Sequence, residues 1–528
     1  MRIMSRLVLC LVIVTVVLVS CSQRQVSEAD LLATLDTLAQ KFEWLDHQYS
    51  LQYWEMYTAG KADSMEFYQG LRSDLVNDQD LLNQLQVGKN LLTNEEDQRR
   101  RDLFLFNFLY GRVEDDPEIF SLRDSLSSIN INYRAEFEGE KRSSGYLYKI
   151  SRYDSNRRRR ETAFRAWSSI SDQVSDGLGQ LFRLRNQKAR RLGYNSFMAL
   201  VFNQCGLDLN EYKTLLDKLN YLSEERYLEI LDRNKAKLNV DEMEAWDLSY
   251  AYSDINKAVD RYFPADSQLI YIKRSLKAID LDIDKLPIYF DLESREGKAQ
   301  YAYTFVIKPP HDVRVLGNQT DGFYSTMVLL HEIGHAVHYT NITQDRDIFV
   351  RNVDGCWTEG MAQIAAGMLK EKQWLETYAK MPPQLVDSYL ASLKEQEIQI
   401  LRRRLVLYNF EYEAYKNPNR DINKLYWDIV EKQLHVPRHE DLKPWAGIGH
   451  YVSIPIYLQN YLYADMIAAQ TYDFLRENYG SITDNPKVSA FLVQNYYRFG
   501  ARYDWRELIQ RGTDEDLNPE HLIKQLGL

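Results

Sequence analysis

Two histidines four residues apart, with a glutamate between them, give this chain its clearest capacity for chemistry: His331-Glu332-Ile333-Gly334-His335. On an α-helix, positions i and i+4 lie about 40° apart around the axis and one turn along it. Both imidazoles can then reach one metal ion at about 2.0–2.1 Å, a ligand set that suits zinc. Glu332 is rotated from that pair toward the fourth coordination position. There a carboxylate can take a proton from water and pass it to a leaving amine. The surrounding helix is apolar, with Met327, Leu329, Leu330, Ile333 and Val337. Two ionisable rings and a carboxylate are costly in such a setting without a partner, which favours a metal centre over histidines that merely hydrogen-bond. His338, one turn past His335, reads as a satisfied core histidine, because three ligands on one short helix would strain the geometry.

A catalytic zinc needs three protein ligands and an open position. The next helical stretch offers two candidates, Cys356 and Glu359, the latter 24 residues beyond His335. Spacing alone leaves both open. Beyond Cys21 the chain holds only Cys205 and Cys356 and no Cys-x-x-Cys pair. That excludes a disulfide framework and points to two separate buried thiols.

The elements that must position these groups are mostly helical. Leu31, Leu35, Leu38, Phe42, Leu45, Tyr49 and Tyr53 recur at steps of three or four and share one face of a long helix, which Ser27 and Asp30 start as a capping box. Similar periods run through 65–110, 158–202, 209–262 and 384–416. Gly193 is expected to end the helix that carries the basic turn before it. The pattern breaks near 287. Tyr301 to Ile307 reads as a strand, Pro309 to Asp312 as a turn, and Val313 to Leu316 as a returning strand. Such a two-stranded ribbon must pack on helices to persist. The basic run Arg157 to Arg160 reads as a solvated face and not as a phosphate patch.

With 528 residues and 45% hydrophobic content the chain can build a large core. A formal net charge of −11 sets nucleic-acid binding aside. The first twenty residues read as a signal peptide: Arg2 and Arg6 precede an apolar run of thirteen residues, Leu7 to Val19, too short to span a bilayer. The sequence Leu18-Val19-Ser20-Cys21 resembles a bacterial lipobox, which makes Cys21 the lipidated residue and 21–27 an anchored linker. The expected location is the bacterial cell envelope. Ser22 after the Cys, where Asp would retain the protein at the inner membrane, points to the outer membrane, facing the periplasm or the exterior.

Several blocks together resemble the gluzincin zinc peptidases, in the thimet oligopeptidase and oligopeptidase F family and in the angiotensin-converting-enzyme (peptidyl-dipeptidase A) family with its bacterial members. The blocks are FDLESREGKAQYAYTF (290–305), HEIGHAVH (331–338), TEGMAQ (358–363) and HYVSIPIYLQNYLYADMIAAQ (450–470). The resemblance implies metal ligands His331, His335 and Glu359, with Gln363 one turn below, and one zinc per chain. It implies Glu332 as general base, and His450 with Tyr457 or Tyr461 as donors to the scissile carbonyl. Tyr301, Ala302, Tyr303 and Thr304 would bind substrate backbone as an added strand. The implied fold is a mostly α, two-lobed ellipsoid with a deep central channel and a small β-ribbon beside the zinc helix, a single domain over 28–528 with its catalytic core at about 287–475. The implied activity is hydrolysis of short unfolded peptides, as an endo-oligopeptidase or a peptidyl-dipeptidase, by a monomer. A metallocarboxypeptidase and a peptide-binding lipoprotein without turnover are the alternatives. Two departures stand out. Tyr301 takes the place of a His in the converting-enzyme family, and Ile448 that of a Lys that grips the substrate's C-terminal carboxylate. Lys443 or Arg295 are the cations that could substitute.

Overall fold

A computed structural model describes residues 26–528. The signal peptide, Cys21 and all but the last two residues of the proposed linker lie outside the described residues. The first helix, Glu28–Ala59, follows the sequence pattern closely. Ser27 Oγ accepts from Asp30 N at 3.1 Å while Ser27 N donates to Asp30 Oδ2 at 3.2 Å, closing the capping box. Leu31, Leu35, Leu38, Phe42 and Leu45 are buried; Tyr49 and Tyr53 continue the face half-buried. Gly60 ends the helix in the left-handed region at φ +76°. Its end holds the loop leading to the active-site sheet: Ala299 N donates to Tyr57 O at 2.8 Å.

Helices dominate, as expected; the 384–416 stretch is one continuous helix, Pro383–Lys416, whereas the other long periodic stretches divide. The 65–110 stretch becomes Met65–Asn77, Gln79–Val87 and Glu95–Glu114, and the 158–202 stretch becomes Arg157–Ser168, Ser171–Arg191 and Phe197–Gln204. Gly193 lies just past the end of Ser171–Arg191 at φ +90°, the expected stop. One continuous apolar core runs from Leu31 to Leu526, with two smaller clusters beside it. No described helix is long and apolar enough to cross a membrane. Cys205 and Cys356 are both free, Cys356 buried and Cys205 half-buried.

The ribbon beside the metal helix has three strands, not two. Tyr303–Lys308 pairs antiparallel with Asp312–Leu316 through the expected turn, and Ile288–Asp291 adds parallel on the other side of Asp312–Leu316. Tyr303–Lys308 is therefore an edge strand. Tyr301 and Ala302 precede it and do not pair, which corrects the expected start. A second small hairpin, Ala135–Phe137 with Glu140–Arg142, was not expected. The basic run is not a patch, and it is a solvated face only in part: Arg157 and Arg158 are exposed, Arg159 is half-buried and Arg160 is buried. Arg157 and Arg160 both close on the buried Asp247, at 2.7 and 2.6 Å, and Arg159 pairs with Glu138 at 2.7 Å.

Three helices carry the site. Phe323–Thr340 packs on Gly355–Gly367, which packs on Gln459–Tyr479. Small residues set how closely they approach. A Cβ on Gly334 would lie 2.7 Å from Ala365 Cβ, one on Gly360 3.0 Å from Ile467 Cγ2, and one on Gly367 2.6 Å from the Tyr472 ring. Each glycine gives up some helix propensity, about 1 kcal/mol relative to Ala, and that loss is offset by contact across the seam.

Candidate active site

The metal helix opens at Gly322, whose φ of +120° turns the chain into Phe323–Thr340. Asp260 caps it, accepting from Phe323 N at 2.9 Å. Across the glycine seam, His331, His335 and Glu359 bring one ligand atom each within 4.8 Å of one another. Glu359 Oε2 lies 3.1 Å from His331 Nε2 and 3.6 Å from His335 Nε2. His335 Nδ1 is 3.0 Å from Thr358 Oγ1. With Nδ1 donating to that hydroxyl, the Nε2 lone pair faces the cluster, as a metal-binding imidazole requires. Burial would push the Glu359 carboxyl up, but His335 and His331 outweigh it and hold the group well below the usual carboxylate range. Buried Glu359 Oε2 finds no hydrogen-bond donor. An anionic oxygen without a donor, facing two imidazole nitrogens, is what a divalent cation with N/O preference would satisfy, so the residues present fit a zinc ion.

Cys356 does not join this set. It is buried in the apolar core, and burial raises its thiol well above the ordinary value. His338 is fully buried with both ring nitrogens unpartnered, so the expected satisfied histidine is an unsatisfied one. Burial, then the neighbouring His335, pushes it down to about 3, which keeps it neutral. Gln363 is half-buried on the third-ligand helix and makes no hydrogen bond to the ligands. Their supporting contacts come from Thr358 and Tyr457.

Glu332 is buried at 8% exposure. The Thr304 hydroxyl reaches both its carboxylate Oε2, at 2.8 Å, and its backbone O, at 2.9 Å. The edge strand is thus tied to the motif it borders, and Thr304 faces Glu332 instead of solvent. Further along, Arg351 donates to the Val306 and Ile307 carbonyls at 3.1 and 2.8 Å. Tyr303 packs edge-on against Tyr57 at 4.8 Å.

The opposite wall is formed by 449–479. The helix Gln459–Tyr479 carries Tyr461, whereas Tyr457 lies in the turn that precedes it. That turn passes through Ile456 at φ +55°, an unfavourable conformation for a β-branched residue. Its amide donates to the buried Glu411 carboxylate at 2.8 Å. Buried Arg185 bonds Glu114 and donates to the Tyr451 and Val452 carbonyls, both at 2.7 Å. So anchored, the turn delivers Tyr457 Oη to Glu359 Oε1 at 2.7 Å. Tyr461 Oη instead lies 3.2 Å from His450 Nε2. The two tyrosines therefore differ in what they touch. Burial keeps both phenols protonated and lowers His450, leaving a neutral imidazole and not an imidazolium.

Residues 150–528 match the family described as peptidase family M3. The chain belongs to peptidase family M3. It is a metallopeptidase, on the oligopeptidase side of the two likenesses seen in the sequence, and neither the carboxypeptidase nor the non-catalytic binding alternative is favoured. Among solved structures, PZ peptidase A with inhibitor 2 superimposes with a TM-score of 0.71 over 96% of each chain, at 14% identity. A chain assigned as an oligoendopeptidase F does so with a TM-score of 0.73 over 96% of each chain, at 16% identity. At these identities the likeness shows the fold. A search of curated proteins returns no match.

Within this M3 fold the two cations considered as carboxylate anchors are otherwise engaged. Arg295 holds Asp291 through both nitrogens at 2.7 Å, and Lys443 bonds Ser175 Oγ at 3.2 Å. The sequence reading missed Thr358, Glu411 and Arg185. Glu411 left a partial signal, as one of two acids, with Glu413, inside the largely apolar and aromatic run Leu405 to Tyr415. Thr358 and Arg185 left none, since hydroxyls and arginines are common on exposed faces.

Proposed function

We propose that this M3 metallopeptidase is a zinc oligopeptidase that cuts internal bonds of short unfolded peptides, with one zinc held by His331, His335 and Glu359. The observation that carries this reading is the donor-poor Glu359 oxygen facing two imidazoles, beside a glutamate oriented by the edge strand. Zinc bound there supplies Lewis acidity toward a carbonyl and toward water. The chain's own residues do the rest. A peptide adds as a strand along Tyr303–Lys308, which brings its backbone beside Thr304 and Glu332. Glu332 takes the proton of the attacking water and returns it to the leaving nitrogen as the C–N bond breaks. Tyr461 Oη and His450 donate to the carbonyl oxygen as it becomes negative, a contribution of about 3–4 kcal/mol per donor. Tyr457 holds Glu359 in place and is not itself a donor to substrate. Tyr301 and Ala302, ahead of the paired strand, line the approach.

The envelope location belongs to the same proposal and rests on Leu7 to Val19 and Cys21. In it the protein is a lipid-anchored monomer.

The deciding experiment uses soluble protein from residue 22 onward, peptides of about ten residues, and mass spectrometry of the products. Internal cuts suppressed by chelator, one zinc per chain, and no turnover with zinc retained in Glu332→Gln are expected. Turnover surviving Glu332→Gln would remove the proposed base. Single residues alone released from the C-terminus would favour a carboxypeptidase. For the anchor, Cys21→Ser should move the full-length protein from the detergent phase to the aqueous phase.

A further inference from the structure

Lys298 is the one buried lysine among the described residues, with 1% of its surface exposed. An ammonium group in that setting is costly unless it is paired and hydrogen-bonded. Its Nζ donates to Asp291 O at 3.0 Å, Asp291 Oδ1 at 2.9 Å, Glu293 O at 2.8 Å and Gly317 O at 2.7 Å. Three N–H groups are thus shared among four acceptors. The acceptors come from the ends of two strands. Asp291 closes the strand Ile288–Asp291, and Gly317 follows the strand Asp312–Leu316. Lys298 itself belongs to the segment that leads into the edge strand Tyr303–Lys308. The register Tyr303 opposite Leu316 sets the start of the edge strand at this same end of the sheet. One ammonium group therefore ties two strand ends to the entry of the third.

That entry has little else of its own to fix it. Residues 292–302 form neither helix nor strand, so no ladder places them. They are held from the sides. Asn318 Nδ2 donates to Ala299 O at 2.7 Å, and Ala299 N donates to Tyr57 O at 2.8 Å. Gly297 lies against the end of the first helix, where a Cβ on it would fall 3.1 Å from Ala59 O. Lys298 adds the tie to both neighbouring strands. Six residues further on, Thr304 donates to Glu332 Oε2 at 2.8 Å. The carboxylate that must face the attacking water is thus oriented by a hydroxyl whose place depends on how the edge strand starts.

We propose that Lys298 is a positioning residue for peptide hydrolysis: its ammonium group fills a cradle of three carbonyls and one carboxylate, fixes the start of the edge strand, and acts through Thr304 on Glu332. The proposal rests on the peptidase reading above and adds a residue to it that touches neither substrate nor metal.

The test is a double-mutant cycle of Lys298→Ala and Thr304→Val, with kcat and KM on a ten-residue peptide, zinc content and thermal unfolding measured for each protein. Lys298→Ala should keep one zinc per chain, because the ligands ride on other elements, and should lower kcat by about 10²-fold, as a displacement of about 1 Å does. Its effect should not multiply with that of Thr304→Val; the double variant should match the worse single one. Ammonium or methylammonium chloride should raise kcat of Lys298→Ala saturably and leave the parent unchanged. Tetramethylammonium chloride, which carries the charge without an N–H, should not. A Lys298→Ala protein that melts lower but turns over at the parental kcat shows a merely structural lysine and overturns the proposal. Multiplying effects overturn the route through Thr304, and rescue by tetramethylammonium, or by neither amine, overturns the cradle. If Lys298→Ala does not fold, Asn318→Ala takes its place in the cycle. It frees the same segment at Ala299 O alone and should lower kcat less, again with nothing added to Thr304→Val; a parental kcat or multiplying effects there overturn the proposal. Absence of turnover in the parent sinks the peptidase reading itself, whereas parental turnover kept by Lys298→Ala sinks only this inference.

Discussion

Gly334 lies between the two ligand histidines, and its lack of a side chain fixes the distance between two helices. A Cβ there would fall 2.7 Å from Ala365 Cβ and 2.8 Å from Ala362 Cα. Carbon atoms pack at about 3.5–4.0 Å. Ala362 Cα is backbone and cannot swing aside, so Gly334→Ala must separate the helices by roughly 1 Å to restore contact distance. On an open helix the same change stabilises by about 1 kcal/mol. Here overpacking costs about 1–3 kcal/mol and outweighs it. The larger effect falls on the metal, because His331 and His335 ride on one helix and Glu359 on the other. Sites of this kind tolerate displacements of about 0.5 Å, so zinc affinity should drop about 10–100-fold, as when groups that orient ligands are lost. Competition against a chromophoric chelator measures the affinity, and thermal unfolding of the metal-free protein measures the packing term. Gly70 is the control. It sits inside Met65–Asn77 with nothing within 4 Å of a built Cβ, so Gly70→Ala should stabilise by about 0.5–1 kcal/mol. A Gly334→Ala protein that melts higher than the parent and binds zinc equally well would refute the reasoning.

The other predictions separate roles that sequence spacing merges. Tyr457→Phe deletes the 2.7 Å bond to Glu359 and should weaken zinc binding about tenfold or more. Tyr461→Phe should leave zinc in place and lower kcat by about 10²–10³-fold; the reverse pattern would exchange their roles. Cys356→Ser should keep one zinc per chain by metal analysis, and Glu359→Gln should not. Glu411 is pushed up to about 7 by burial, against an ordinary value of 4.5, despite the Ile456 amide and Arg185, which pull it down. Between those values the folded chain binds the proton that the unfolded chain has released. This group's contribution to stability is therefore present below about pH 4.5 and lost as the pH rises through 7, by about 3 kcal/mol in all. Thermal unfolding compared at pH 5 and pH 8 should show a steeper loss in the parent than in Glu411→Gln; parallel losses would remove the buried carboxyl from that account.

How far the sequence could be read depended on how local each determinant was. The Glu28–Ala59 helix was legible because its period, its capping box and its stop at Gly60 all lie within the segment. The hairpin Ala135–Arg142 was legible in principle, since Glu138-Gly139 suits a turn with both central residues at positive φ, here +54° and +80°. Its strands are three residues each, too short for alternation to register. The Ile288–Asp291 strand was hidden for another reason. Its partner is Asp312–Leu316, the far strand of the Tyr303–Leu316 hairpin, and parallel pairing leaves no signal in four residues. The metal ligands were legible since a helix converts a four-residue spacing into a common direction. Thr304 was placed on the right strand, but the contact of its hydroxyl with Glu332 was not legible, because only the packing of strand on helix shows which way that hydroxyl points.

Tyr457 shows what no periodicity could have revealed. It is positioned by a turn, not by a helical face, and the turn holds Ile456 at φ +55° against the preference of its own side chain. Such a conformation persists only where the surroundings over-determine it. Here they are Glu411 on the Ile456 amide and Arg185 on the carbonyls of Tyr451 and Val452, with Glu114 compensating the Arg185 charge. Buried ions of this sort are poor stabilisers in their own right, since desolvation consumes most of what pairing returns. Their use is geometric. The Arg185–Glu114 pair is remote in sequence from the turn it holds, yet each carbonyl it binds restricts where His450 and Tyr457 can go. The metal side of the site is therefore set by close approach across glycines, and the substrate-facing side by buried charge. Perturbations of the first should appear in metal affinity, and of the second in turnover through His450 and in metal affinity through the Tyr457–Glu359 bond.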